Sequence, residues 1–600
     1  MKKKMVCMLL ALAVSLTITA CGTGNGQSGE SSSGTYSSAT ESESTDLLTD
    51  AQLEAELSGD TGNYFSDGDY KDVSLEEPNA TITLSDSTGT ISDTTRGTSG
   101  ETVTITSKGI YRITGSSQNV TILVNDETES GNVYLILDNV NMENEEQPCI
   151  LVEAADKVIL QCVGTNSLIY TSADNKQDGA VYAKDDLTLN GSGALNITSA
   201  LHGIVCKKDL KLTGLTLSVE ADSIGLQSMK TVRIDGAELD IHSGHDGIQI
   251  SGTSEENYFY MAGGDVKISA GYDGLDVGLD GESGSSDVIL AGGTLVLTTG
   301  GGSASSKDSN LSQKGVKCDG DVKIGNAELN ISSADDAIHA SGSVYVQDGT
   351  VSLATSDDGI HADELIAIAG GRVSVVKSYE GMEAYEIRIS GGDISVTASD
   401  DGINAAGGSD SASTEAMPTR WGGEASGVGT LTISGGTLYV NAQGDGLDSN
   451  GSLFVSGGTV IVEGPTDNGN GALDKGDGNG CVAQVTGGTI LALGTTGMAV
   501  NFDSGTQCSG LINLSGEAGT TITVNDGSGF SFTTTKAFQC LVYSSTSMEQ
   551  GKAYTVTAGD ESVEMDFSSG LYYSNVSSMG GGPGGMGEDQ RGLGGGPGER

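Results

Sequence analysis

Apolar and polar residues alternate in short runs along most of the chain, and the runs are joined at glycines. In Leu431-Thr432-Ile433-Ser434-Gly435-Gly436-Thr437-Leu438-Tyr439-Val440, one run of period two enters a Gly-Gly corner and another leaves it. Period two predicts half-buried β-strands, because successive side chains on a strand point to opposite faces. A second landmark recurs between such pairs: a polar residue, a small residue that is usually Gly, then an aliphatic one. It stands at Asp178-Gly179-Ala180, His202-Gly203-Ile204, Ile224-Gly225-Leu226, Asp246-Gly247-Ile248, Asp273-Gly274-Leu275 and Lys314-Gly315-Val316. It continues at Asp336-Ala337-Ile338, Asp358-Gly359-Ile360, Glu380-Gly381-Met382, Asp401-Gly402-Ile403, Asp445-Gly446-Leu447 and, degenerately, Gly471-Ala472-Leu473.

Most steps between these anchors are 21, 22 or 24 residues; the outliers of 27, 41 and 44 go with polar inserts such as 278–287, 300–313 and 406–428. A fixed period with inserts leaving one face is the mark of a solenoid. Three short strands and three corners per coil predict an all-β fold, a right-handed parallel β-helix. Like residues then stack on like at about 4.8 Å. The aliphatic residue after each anchor (Ile204, Leu226, Ile248, Leu275, Val316, Ile338, Ile360, Met382, Ile403, Leu447) forms an interior ladder. Glycine at the corners is expected where the backbone takes positive φ.

The two ends read differently. Residues 1–20 are a signal peptide: Lys2, Lys3 and Lys4 precede the apolar run Met5 to Leu16, which is too short for a permanent span. The run ends at Ile18-Thr19-Ala20-Cys21, which resembles the lipobox of bacterial lipoproteins and implies lipidation at Cys21. Residues 21–75 are expected to be a polar tether, 76–515 the β-helix with irregular first coils, 516–566 a C-terminal β cap, and 567–600 a disordered Gly/Pro/Met-rich tail. The expected location is the outer face of the cell membrane, held by the lipid anchor alone. Seven cysteines remain outside the signal and the anchor, widely spaced and without a CxxC pair, and read as single buried thiols.

Composition narrows the function. With 81 acidic against 29 basic residues, the net charge is −52, which argues against nucleic acid and anionic lipid as partners and asks for cations. The acids are ordered. Directly before the anchors lie Asp246, Asp273, Asp336, Asp358, Glu380, Asp401 and Asp445; two residues after them lie Asp276, His339, His361, Glu383, Asn404, Asp448 and Asp474. Asp335, Asp357 and Asp400 add a further acid upstream. Stacked one strand apart, two such charges repel by about 1 kcal/mol in water and about 3–4 kcal/mol at an effective dielectric of 20. Carboxylates, Asn and backbone carbonyls at Gly turns are hard-oxygen ligands suited to several Ca²⁺ ions. The other reading of these acids is a salt-screened surface. Lys314 and Lys317 fall in the two acid columns of one coil, where their ammonium groups can bridge neighbouring acids.

His339 and His361 share a column beside Asp336, Asp358 and Asp363 and read either as a transition-metal site or as polar members of the ladder; His242 and His245, three apart across a corner, carry the same two readings. No G-x-S-x-G, Walker loop or HExxH is present, and no carboxylate pair stands out as a glycosidase acid and base. A polyuronate lyase would need calcium and a basic residue; Arg372, Lys377 and Arg388 lie near Glu380, and plain surface is the other reading of them.

The segments Ala180-Val181-Tyr182-Ala183-Lys184-Asp185-Asp186-Leu187-Thr188-Leu189 and His202-Gly203-Ile204-Val205-Cys206-Lys207-Lys208-Asp209-Leu210, with the repeated D-D-G-I and S-G-G-T, resemble a clostridial-type family of carbohydrate-binding-domain-containing surface proteins. The resemblance spans roughly residues 79–560. It implies a calcium-binding β-helix shaped like pectate lyases that binds plant cell-wall polysaccharide, notably polygalacturonate, without established catalysis. His202 in place of Asp and the Lys314/Lys317 coil depart from the pattern and put particular calcium sites in doubt. A chain this acidic meets polygalacturonate only through bridging cations. Neutral glucans instead favour aromatic platforms, and aromatics are sparse: Tyr272 and Tyr379 flank the acid column, and Trp421 lies in an insert. The leading reading is a non-catalytic, calcium-dependent polysaccharide binder. A β-helix polysaccharide lyase and a structural adhesin are its alternatives. Nothing in the sequence specifies an oligomeric state.

Overall fold

The computed structural model describes residues 50–574 except 129–130, 174–175, 254–255, 280–284, 407–428 and 479. The expected signal peptide, Cys21, Trp421 and most of the C-terminal tail lie outside the described residues. The chain is an all-β solenoid of about 13 turns, built from stacked parallel coils. Among the described residues no helix is long and apolar enough to cross a membrane.

Three parallel ladders run along the stack. The first contains the anchor strands His202–Cys206, Leu226–Ser228, Ile248–Gly252, Leu275–Leu279, Val316–Cys318 and Ile338–Ala340, and continues to Leu447–Ser449. The second includes Leu187–Gly191, Asp209–Thr213 and Thr231–Asp235; the third includes Ala194–Ser199, Thr216–Ala221 and Ala237–Ser243. The register places Ile204, Leu226, Ile248, Leu275, Val316, Ile338, Ile360, Met382, Ile403 and Leu447 in one row, and every one of them is fully buried. Each such side chain contributes about 1.5–3 kcal/mol relative to an exposed one. The first copy is displaced by one residue: Gly179 pairs with His202 and Val181 with Ile204, so Ala180 holds the anchor position.

Glycine serves two distinct needs. At the anchors the backbone is not left-handed. A Cβ on Gly225, Gly274 or Gly359 would instead stand 2.6, 2.6 or 2.5 Å from the carbonyl oxygen of the next anchor, at Gly247, Gly315 and Gly381. Close coil-to-coil approach therefore selects glycine there, correcting the expectation of positive φ. Left-handed glycines do stand second in the Gly-Gly corners, as at Gly392 (φ 87°), Gly436 (φ 79°) and Gly458 (φ 83°).

Three end features differ from expectation. The tether expected through residue 75 is folded from residue 50 onwards. A helix, Asp50–Leu57, buries Leu53 and Leu57, and the segment after it runs along the second ladder towards the N-terminal end of the stack. Its contacts are Glu56 with Lys323, Tyr64 stacked on Tyr260 at 3.5 Å, Asp69 with Lys157 and Lys211, and the Val73 N–H donating to Gln161. This strap was hidden because its few apolar residues (Leu53, Leu57, Phe65, Val73) show no period. At the other end, Cys540–Ser545 pairs antiparallel with Ala483–Gly494 and closes the stack, whereas the expected cap is a separate antiparallel sheet of Thr521–Val524, Ser531–Thr533, Ala553–Ala558 and Glu561–Asp566. The tail expected from residue 567 still contributes a strand, Leu571–Tyr573, paired with Ser509–Ile512. All seven cysteines among the described residues are free, and six of them are buried.

A candidate cation strip along the first ladder

The anchor turn brings two rows of side chains to the same edge of the first ladder. In one row, each anchor N–H donates to the carbonyl of the acid in the next coil: Gly225 to Asp246 (3.1 Å), Gly247 to Asp273 (2.9 Å), Ala337 to Asp358 (2.9 Å), Gly359 to Glu380 (3.0 Å), Gly381 to Asp401 (2.9 Å) and Gly402 to Asp445 (2.8 Å). The strand register stacks the other row, Gln249, Asp276, Lys317, His339, His361, Glu383, Asn404 and Asp448, one residue per coil. Asp474 continues it, its N–H bonded to the Leu447 carbonyl. Asp335, Asp357 and Asp400 flank the first row, and Tyr379 sits between the last two, bonding the Asp357 carbonyl (2.7 Å) and receiving the Asp400 N–H (2.9 Å).

Along its length the strip divides into two electrostatic regimes. In the N-terminal half, lysines meet the acids. Lys317 lies 3.0 Å from Asp276 and 3.8 Å from Asp273. Lys314 is ion-paired with Asp336 and lies 3.4 Å from Asp335, and Lys307 is 2.9 Å from Asp335 and paired with Asp357. Lys314 and Lys317 are thus the bridging cations their columns implied. Lys307 was not legible, because it comes from the insert at 300–313, outside the repeat. Gln249 also spans two coils, donating from Nε2 to Asp246 (2.9 Å) and Asp276 (3.4 Å).

In the C-terminal half, no lysine or arginine among the described residues forms an ion pair with Asp358, Glu383, Asp401, Asp445 or Asp448. Two groups of converging ligand atoms lie here, Asp358–His361–Glu383 and Asp401–Asp445–Asp448, each with its atoms within 4.8 Å of one another. The third such group, Asp335–Asp336–Asp357, is the lysine-paired one. Uncompensated burial shows in the acidities. Burial, reinforced by neighbouring carboxylates, pushes Asp445 up to about 7, Asp448 to about 6, Asp358 to about 6 and Glu380 to about 8. Asp401 and Asp474 are raised for the same first cause. Burial also leads at Asp246, raised to about 6, and at Asp273, raised to about 7 even beside Lys317. Asn404, in the same row, donates from Nδ2 to Glu380 (3.0 Å) and keeps a buried Oδ1 with no hydrogen-bond partner.

The remaining sequence candidates sort by position. Tyr272 is half-buried and packs edge-on against His245 at 4.7 Å; Tyr379 is exposed, its phenol raised to about 12 by a hydrogen bond to Asp400. His242 faces Glu220 on the third ladder, and His245 Nδ1 lies 3.2 Å from the Ser223 hydroxyl. Arg372 pairs with Asp393, Arg388 with Glu386, and Lys377 donates to the Ser303 carbonyl, so each candidate lyase base is engaged locally. Surface concavities of 440, 580, 400 and 420 Å³ are lined by other residues, such as Ser117, Asn141 and Glu143 in the first. None of these concavities is lined by the strip, whose side chains are partly to fully buried along the ladder edge.

A curated protein of Acetivibrio thermocellus, described as a carbohydrate-binding domain-containing protein, is 30% identical over 186 residues, which is 29% of this chain and 65% of that relative. A solved structure titled polysaccharide lyase-like protein from C. thermocellum, a gadolinium derivative, has 28% sequence identity and a TM-score of 0.36, covering 42% of this chain and all of the other. Residues 99–359, the first coils through the Gly359 anchor, match the family model described as carbohydrate-binding domain-containing protein.

Proposed function

We propose that this chain is a non-catalytic, surface-anchored protein that binds polysaccharide through calcium ions held on the first-ladder strip, with acidic glycans such as polygalacturonate preferred. The observation that carries the reading is the group Asp401–Asp445–Asp448: three carboxylates converge with no protein cation among the described residues to balance them. Partly buried carboxylates and the orphan Asn404 Oδ1 are the hard-oxygen donors that Ca²⁺ takes in irregular, six- to eight-fold shells, partly completed by water or a ligand. Asp400 and Asp474 adjoin this group, whereas the lysine-paired acids Asp273, Asp276, Asp335, Asp336 and Asp357 belong to internal salt bridges in this proposal. A calcium ion short of protein ligands would complete its shell with a uronate carboxylate, which resolves the repulsion between an acidic polymer and a chain of charge −52. The match to a carbohydrate-binding family supports a glycan as partner. Lipidation at Cys21 would hold the protein at the membrane, and the solenoid would present the strip outwards.

Affinity electrophoresis in polygalacturonate, cellulose and xylan gels tests this, with calcium and with chelator. Retardation in polygalacturonate that needs calcium and disappears in D445N/D448N is expected. Unchanged mobility in all three gels would remove polysaccharide binding and leave the adhesin reading. Release of unsaturated uronides from pectate would instead establish lyase activity.

A further inference from the structure

The Asp358–His361–Glu383 group differs in kind from the all-oxygen group beyond it. His361 Nδ1 lies 3.0 Å from Glu383 Oε2 and 3.5 Å from Asp358 Oδ2, yet it is buried without a well-formed hydrogen bond. The side chain is 1% exposed, so an unaligned ring nitrogen here is costly unless something else occupies the space between the three groups. Two donor atoms bound at about 2.0–2.2 Å to one ion, at tetrahedral to octahedral angles, stand about 3.0–3.5 Å apart. The two separations from His361 Nδ1, 3.0 and 3.5 Å, match that spacing, and all three ligand atoms lie within 4.8 Å of one another.

The far side of the ring is arranged as for a ligand. His361 Nε2 lies 3.4 Å from Asp363 Oδ1, a carboxylate that would accept a hydrogen bond from Nε2–H and so leave the Nδ1 lone pair facing the group. His339 stacks face to face on the ring at 4.7 Å with an interplanar angle of 8°, and its own Nδ1 is held 3.0 Å from Asp336 Oδ2. Stacking from one coil and the carboxylate from its own strand fix the plane of the imidazole before any ion arrives.

We propose that Asp358, His361 and Glu383 form a mononuclear site for a divalent transition metal of the zinc class, one per chain, joining two successive coils. Imidazole with two carboxylates suits Zn²⁺, Co²⁺ or Ni²⁺, whereas calcium takes oxygen almost alone. Three protein ligands leave one position open, and the partial exposure of Asp358 (11%) and Glu383 (19%) places that position towards solvent on the strip. The site does not depend on calcium or on a glycan.

The test is titration of the chelator-treated full chain with Co²⁺, followed by its visible d–d absorption and by equilibrium dialysis. One tightly bound Co²⁺ per chain is expected, displaced by stoichiometric Zn²⁺ and not by a large excess of Ca²⁺. H361Q and E383Q should each abolish the bands, D363N should weaken binding by roughly 10–100-fold, and D445N should leave the bands intact. Circular dichroism would verify that each variant keeps the β fold. No bands in a folded native chain, undiminished bands in H361Q, or displacement by equimolar Ca²⁺ would each overturn the site. The first of these would mark His361 as an imidazolium paired with its carboxylates.

Discussion

At the residue scale, the strip shows how a buried charge is tolerated in one coil and left wanting in the next. Lys314 has a side chain 10% exposed and is held between Asp335 (3% exposed) and Asp336 (1% exposed). Removing one partner of a buried pair leaves the other uncompensated, which costs about 3–5 kcal/mol. K314Q is therefore expected to lower the unfolding free energy by that amount in a urea titration; a loss below about 1 kcal/mol would mean solvent and Lys307 already neutralise the pair. The two glycine roles are separable as well. G359A forces a Cβ towards the Gly381 carbonyl and should destabilise by about 1–3 kcal/mol. A337G, at an anchor that already accommodates a methyl group, should change stability by no more than about 1 kcal/mol. Equal effects in thermal melts would contradict the close-approach explanation.

At the element scale, the strap of residues 50–75 covers the second ladder while the acid strip occupies the first, so the strap does not cover the proposed binding surface. One fully buried carboxylate, Asp69, pins the strap. Burial works against its charge, but hydrogen bonds from Lys157, the Ser66 N–H and Thr188 outweigh it and hold the carboxyl well below the usual range. D69A should release the strap and make residues 50–75 the first site of limited proteolysis, with the coils from 150 to 470 still protected. Cleavage first within the coils would show that the strap is not an independent opening unit.

At the scale of the whole molecule, the coils form one continuous hydrophobic column, and stability should follow the charge state of the strip. For Asp273, Glu380 and Asp445 the folded acidity constants, about 7, 8 and 7, lie above the unfolded values near 4. Between those limits these groups bind more protons in the folded state than in the unfolded one, so their contribution to stability is fully present below about pH 4 and is lost as pH rises through about 4 to 8. Cation-free protein should accordingly melt at a higher temperature at pH 5 than at pH 7.5. Under the proposal, calcium should raise the melting temperature at pH 7.5 and have little effect at pH 5, where protons compete for the same carboxylates. A flat pH profile without cations, or equal calcium shifts at both values, would contradict the uncompensated-strip account.

The coils, the interior ladder and both acid rows were legible from residues alone, because in a solenoid the strand period and the coil period together fix which side chains stack. Ile204 to Leu447 and Asp246 to Asp448 fall into register for that reason. The inserts and the strap carry no period, so Lys307 and Asp69 had no sequence address on the stack. The reason for glycine at the anchors was also open, since positive φ and close approach select the same residue. Only tertiary structure brought Lys307 to Asp335 and Asp357, and showed which strip acids have no lysine or arginine partner among the described residues, because that depends on where a segment outside the repeat comes to rest.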